Sequence, residues 1–198
     1  MVSLISVEVD HVNVAAVILA AGESKRFGTN KMLYRINGVP IIKLSLRAYA
    51  ELERAVIVGR DADLILKEIG EEVVIYNPKF KEGISESLKL GIRFFQDYDG
   101  VIVGLGDMPL VTRETVEKVL NSFKPECAAV IPTHSGTRGN PVLISKRIFK
   151  QVLGLKGDVG ASMVLRKRED ICEVEAGEEV LIDVDTPADL SLFSRRLA

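Results

Sequence analysis

Short runs rich in Val and Ile recur along this chain at Val14–Ala20, 55–58, Val73–Tyr76, 101–105 and 128–131, separated each time by longer stretches with helical spacing. Such runs read as strands buried on both faces. Between them Ile41, Leu44, Ala48 and Leu52 fall on one helical face, as do Ile84, Leu88, Ile92 and Phe95. Strands alternating with helices predict an α/β domain, because parallel neighbours need a crossover connection. The expected fold is a single Rossmann-like, three-layer domain with a mainly parallel, mixed sheet. Ligands in such sheets bind beyond the carboxyl ends of the strands, which directs attention to residues 21–31, 77–83 and 106–109. Further strands are expected at 141–144 and 171–174, helices at 161–168 and 187–195, and an extra edge strand or tail at 1–12.

The 198 residues suit one domain spanning 1–198, and at 47% hydrophobic composition the chain can bury a core without disulfides or structural metals. Lys and Arg total 26 against 28 for Asp and Glu, so the one-sided basic field of a nucleic-acid binder is missing. The two cysteines, Cys127 and Cys172, fit neither a disulfide framework nor a zinc-site spacing, which predicts free thiols in a reducing, cytoplasmic setting. The apolar run 14–21 is too short to cross a bilayer, and Glu8 and Asp10 precede it where a signal peptide carries positive charge. No membrane association is expected.

The first strand runs into Leu19-Ala20-Ala21-Gly22-Glu23-Ser24-Lys25-Arg26-Phe27-Gly28-Thr29-Asn30-Lys31. Physically this is an anion cradle. Gly22 and Gly28 let backbone N–H groups approach phosphate oxygens, Arg26 can chelate two of them, and Lys31 adds a point charge. The spacing matches neither the P-loop nor the dinucleotide fingerprint. The plainer alternative is a glycine-bearing turn whose cations are merely solvated.

This segment resembles the L-A-A-G-x-S-x-R-M-G-x-x-K signature of nucleotidyltransferases, particularly the molybdenum cofactor cytidylyltransferases and their guanylyltransferase relatives, with Phe27 in place of Met. Other pieces are similar to the same family: Asn77-Pro78 with Gly83-Ile84-Ser85-Glu86-Ser87-Leu88, the turn Leu105-Gly106-Asp107-Met108-Pro109, the block Gly157-Asp158-Val159-Gly160-Ala161, and Asp183-Val184-Asp185-Thr186-Pro187. The resemblance implies the nucleotide-diphospho-sugar transferase type of fold. It also implies transfer of CMP or GMP from an NTP to the terminal phosphate of molybdopterin, with release of pyrophosphate.

Asp107, at a turn after a buried strand, reads as a metal ligand or as the cap of a helix starting near Thr112; the resemblance favours magnesium. Asp183 and Asp185 would face the same way in an extended segment, and Asp185 reads equally as a ligand or as the cap of the last helix. The resemblance gives Arg26, Lys31 and Asp107 the catalytic roles, with magnesium on Asp107 and Asp185. It places the nucleotide against Leu19, Ala20, Ala21, Gly22, Ser24, Gly28, Asn77, Gly83 and Ser87. The acceptor would meet Asn140, Gly157, Asp158 and Gly160.

Ala21 hints at CTP over GTP. Asn140 and Ser162 depart from the family's Gly-His-Pro and from its Arg, which leaves the acceptor open. His134 reads as a substrate contact or a solvated surface residue; His11 is assigned nothing. Two other readings stay open: transfer to a different phosphorylated acceptor, such as a sugar 1-phosphate or cobinamide phosphate, and a non-catalytic carrier that matures molybdenum cofactor for a partner enzyme.

Overall fold

The computed structural model describes residues 12–24 and 27–197. The expectation for 1–12 therefore lies almost wholly outside the described residues, as does His11. Among the described residues ten strands form in chain order: β1 (Val14–Ala20), β2 (Arg35–Ile36), β3 (Val39–Pro40), β4 (Arg54–Val58), β5 (Val73–Tyr76), β6 (Gly100–Leu105), β7 (Ala129–His134), β8 (Thr137–Arg138), β9 (Val142–Ser145) and β10 (Ile171–Glu175). Eight of them build one sheet in the order β10-β7-β9-β6-β1-β4-β5, with β8 hydrogen-bonded to β7; β2 and β3 make a separate small hairpin. β1 pairs in parallel with both β4 and β6, and β4 with β5. Only β9 breaks this pattern along the main path, running antiparallel between β6 and β7.

The buried central strands explain the uninterrupted apolar runs. Ala16, Ile18 and Ala20 of β1 point to one face, where Ile42, Leu46, Ile65, Ile69, Val116 and Val119 cover them. Ala15, Val17 and Leu19 point to the other, against Leu88, Ile92, Phe95, Phe149 and Val152. The helices supplying these residues are α1 (Ile41–Leu46), α2 (Ala62–Ile69), α3 (Ile84–Phe94), α4 (Arg113–Asn121) and α5 (Phe149–Leu153), followed by α6 (Ser162–Leu165) and α7 (Leu190–Arg196). Successive residues alternate between the two faces, so a strand with helices on both sides needs apolar residues at every position.

Local signals set the helix boundaries. Thr112 accepts from the Thr115 N–H and starts α4. Gly70, with φ of 70°, ends α2. The apolar face predicted through Leu52 divides instead: α1 stops at Leu46 and a 3₁₀ turn continues over Arg47–Tyr49. The helix expected over 161–168 contracts to the single turn α6.

The cysteine reading is corrected. Cys127 and Cys172 are joined in a disulfide with Cα atoms 5.6 Å apart. Their 45-residue separation conceals that β10 lies beside β7 in parallel, with Ile171 opposite Ala129 and Cys172 opposite Val130. The strand pairing brings together two thiols that spacing alone gives no reason to pair. The expectation of a reducing, cytoplasmic setting loses the support it drew from free thiols. Among the described residues no helix is long and apolar enough to cross a membrane.

Replacing Cys127 and Cys172 by Ser removes a cross-link that closes a loop of that length. A chain-entropy argument places the loss near ~4 kcal/mol of unfolding free energy. Urea denaturation of wild type, with and without reductant, against the double variant measures it; reduction should lower only the wild-type midpoint.

Candidate active site

The carboxyl ends of β1 and β6 open into a cleft of about 590 Å³ lined by Leu19, Ala21, Gly22, Glu23, Ser24, Phe27, Lys31 and Met32 on one side and by residues from 80–87, Asp107, Asp158 and Asp185 on the others. The loop after β1 is fastened at several points. Ser24 sits at φ of 50°, its carbonyl accepts from the Phe27 N–H at 3.0 Å, and its hydroxyl accepts from the Lys31 N–H at 3.1 Å. Asn30 is buried, accepting from the Met32 N–H and donating from its amide to the Arg60 carbonyl. Phe27, the departure from the family's Met, is buried among Ile36, Ile41, Leu44, Val184 and Phe193 and meets the Tyr34 ring edge-on at 5.0 Å between centroids. Its bulk therefore anchors the loop to the C-terminal segment.

Lys31 stands at the centre. Its Nζ is 2.6 Å from Asp107 Oδ2 and 3.9 Å from Asp185 Oδ1, and it donates to the Val184 carbonyl at 2.8 Å. The Val184 N–H in turn donates to the Asp107 carbonyl at 2.8 Å. Since Thr112 caps α4, Asp107 is released from that alternative role. Likewise, the last helical segment starts from Thr186 as its cap, with Asp189 accepting from the N–H groups of Thr186 and Asp185, which hold its carboxyl below the ordinary range. Partial burial pushes the Asp183 carboxyl up, aided by repulsion from Asp107 and Asp185 and opposed by Lys31. Three acidic groups thus share the field of one ammonium.

Hard oxygen donors from Asp107 and Asp185 within 4 Å of one cationic point suit magnesium, which takes one or two carboxylates and completes its shell with water and phosphate. Among the described residues no three carboxylate, imidazole or thiol groups are arranged to hold a metal unaided.

The opposite wall is α3 and its approach. Gly83, at φ of 111°, lies so near the Gly157 carbonyl and the Asp158 N–H that a Cβ would collide with both. Asp158 Oδ1 accepts from the Ile84 N–H at 3.2 Å, capping α3 from a distant segment. Phe80 packs over Gly59 at the end of β4, leaving no room for a side chain there.

Most of the sequence-selected residues meet around this cleft, including Ala21, Gly22, Ser24, Lys31, Gly83, Ser87, Asp107, Asp158 and Asp185. Several do not line it. Ala20 packs into the core on the far face of β1. Gly28 faces a neighbouring hollow with Arg60 and Leu64. Asn77 is buried behind Ser87. Asn140 donates its N–H to the Val180 carbonyl, and Gly157 and Gly160 flank the capping Asp158. Arg26 lies outside the described residues. His134 is held by the Ala176 carbonyl at 3.0 Å.

Sequence reasoning passes over Glu23, Met32, Phe80, Lys81 and Glu82, all of which line the cleft. They fall inside or beside the flagged segments, but a search for glycines, amides and phosphate-binding cations does not select an aromatic ring or an acid.

A mixed sheet with a glycine loop, a lysine and paired acids beyond its central strands is the build of a nucleotide-handling transferase domain. Residues 16–171 match the MobA-like NTP transferase domain, and the chain belongs to that family. It is 28% identical to the purine catabolism protein PucB of Bacillus subtilis (strain 168), covering 92% of this chain and 96% of the relative. It is 25% identical to the molybdenum cofactor cytidylyltransferase of Escherichia coli (strain K12), covering 91% and 95%. The fold superposes on the homologue of Mycobacterium tuberculosis Rv0371c from Mycobacterium sp. strain JC1 with a TM-score of 0.82 at 23% identity, over 93% of this chain and 98% of that one.

In metal-free protein, carboxyl NMR titration should show Asp183 protonating above the ordinary Asp range, and Lys31→Met should raise it further. Asp107→Asn should bring it back down. Because the folded state holds this proton more tightly than the unfolded chain, the group lowers stability as pH rises past the unfolded value near 3.8. Asp183→Asn should therefore stabilise the protein at neutral pH and lose that advantage below pH ~3.8.

Proposed function

We propose that this protein transfers a nucleoside monophosphate, CMP in preference to GMP, from the NTP to the terminal phosphate of a molybdopterin-type acceptor. The observation that carries this reading is the Lys31 ammonium, held at 2.6 Å on Asp107 across the mouth of the glycine loop. The family supports nucleotidyl transfer, and the named cytidylyltransferase relative supports the base and the acceptor.

The acceptor phosphate oxygen is already ionised at neutral pH, so no general base is needed. That oxygen forms the new bond to the α-phosphorus while the bond from the α-phosphorus to the bridging oxygen breaks, and pyrophosphate leaves with the electron pair. Backbone N–H groups around Ala21 and Gly22 would receive the phosphates. Lys31, already tethered to the strand end, would neutralise charge on the transferring group, and Arg26 would share that task. Magnesium, held by Asp107 and Asp185, would supply further neutralisation of phosphate charge. Asp158, which lines the cleft with Gly157 and Gly160 near it in sequence, would meet the acceptor, and Phe80 lines the cleft while packing over Gly59.

A second acceptor reading rests on Asn140 and Ser162, which stand where the family often has His and Arg and do not line the cleft. A sugar 1-phosphate or cobinamide phosphate would meet the same nucleotide bed.

Pyrophosphate release should require both an NTP and the acceptor, with CTP faster than GTP. Lys31→Ala and Asp107→Ala should each cost roughly 100-fold to 1000-fold, or about 3 to 4 kcal/mol of barrier. Running the assay over a panel of phosphorylated acceptors separates the two acceptor readings. Stoichiometric cofactor binding with no NTP-dependent turnover would make the protein a carrier instead.

A further inference from the structure

Asn77 is almost wholly buried and does not line the cleft, although it lies one residue past β5. Both ends of its side chain are committed. Oδ1 accepts from the Lys79 N–H at 2.8 Å, and Nδ2 donates to Ser87 Oγ at 2.9 Å. The backbone donor fixes which end of the amide is which, because an N–H can face only the oxygen. Ser87 Oγ is therefore an acceptor in this bond. A hydroxyl has one proton to give, and among the described residues none takes the proton of Ser87. Ser87 does line the cleft.

We infer that Asn77 is a positioning residue that fixes the polarity of Ser87, presenting its hydroxyl to the nucleotide as a donor. This inference rests on the proposed nucleotide site and adds a constraint to it: the ligand edge that meets Ser87 carries a hydrogen-bond acceptor, such as a ring nitrogen or carbonyl of the base. A serine without its buried amide would rotate freely and accept or donate alike.

Asn77→Asp tests the polarity, because it keeps the shape and the bond to Lys79 while replacing the donor by an acceptor. The carboxylate so introduced would take the Ser87 proton and leave the hydroxyl oxygen facing the cleft as an acceptor. Calorimetric titration of CTP and of GTP in parallel, with steady-state turnover, is read for wild type, Asn77→Asp, Ser87→Ala and the double variant. The expected result is a loss of about tenfold in affinity for the tighter nucleotide in Asn77→Asp, seen in KM with kcat within about twofold.

In the Ser87→Ala background the same change should have no further effect on affinity. Ser87→Thr, which keeps the hydroxyl and its partner, should restore most of the binding lost in Ser87→Ala. Should Asn77→Asp unfold the protein, Ser87→Ala against Ser87→Thr still decides whether the hydroxyl is used. Undiminished nucleotide affinity in a folded Asn77→Asp protein, equal losses with and without Ser87, or no rescue by Thr would overturn the inference while leaving the nucleotide site intact. A wild type that binds neither nucleotide overturns the site reading, and the inference with it.

Discussion

The ion pair between Lys31 and Asp107 is the contact on which the organisation of the cleft depends. Both side chains are mostly withdrawn from solvent, at 14% and 16% exposure, so each charge relies on the other. Removing one partner of such a pair strands the other in a poorly solvating place, a far larger penalty than the net contribution of the pair itself. Lys31 comes from the loop after β1, Asp107 from the turn after β6, and the Val184 carbonyl from a segment near the C-terminus. One ammonium therefore joins three stretches remote in sequence and sets the floor to which Phe27 and Phe193 fix the surroundings.

Around that floor the sheet does what a parallel sheet with adjacent strands β1, β4 and β6 must do: it places three strand-to-helix turns side by side. The antiparallel β9 interrupts the pattern on one flank, running from beside Val103 near the carboxyl end of β6 back to Gly100. The glycine loop, the Ser87 hydroxyl and the acidic groups arrive together because the strands that lead to them are neighbours. Each has the plain local role of a turn or cap available to it. Thr112 fills one of those roles and Thr186 with Asp189 fills another, so neither helix start takes its cap from Asp107 or Asp185, both of which line the cleft.

Much of this architecture is legible from residue type alone. Val14–Ala20 and Val73–Tyr76 are strands over the bounds their composition predicts, the first buried on both faces and the second an uninterrupted apolar run at the sheet edge. The later half is less legible. The 161–168 stretch yields one helical turn, Ser162–Leu165, in which only Leu165 is buried, so little apolar burial is available to hold a longer helix. The disulfide escapes a reading of the chain because pairing of β7 with β10 is long-range information that a spacing of cysteines does not contain. At the site, glycines, cations and acids announce themselves through chemistry. Phe80 does not, since an aromatic ring beside a glycine looks the same in a core as in a cleft, and Asn77 looks like a ligand contact until its two partners are seen.

The crossing of Gly83 over Gly157 carries one more consequence. With the start of α3 resting on a distant backbone and capped by Asp158, the bed that would cradle the base and the shore that would meet the second reactant touch directly. Any side chain added at position 83 would therefore wedge the two banks apart at once, which only glycine avoids.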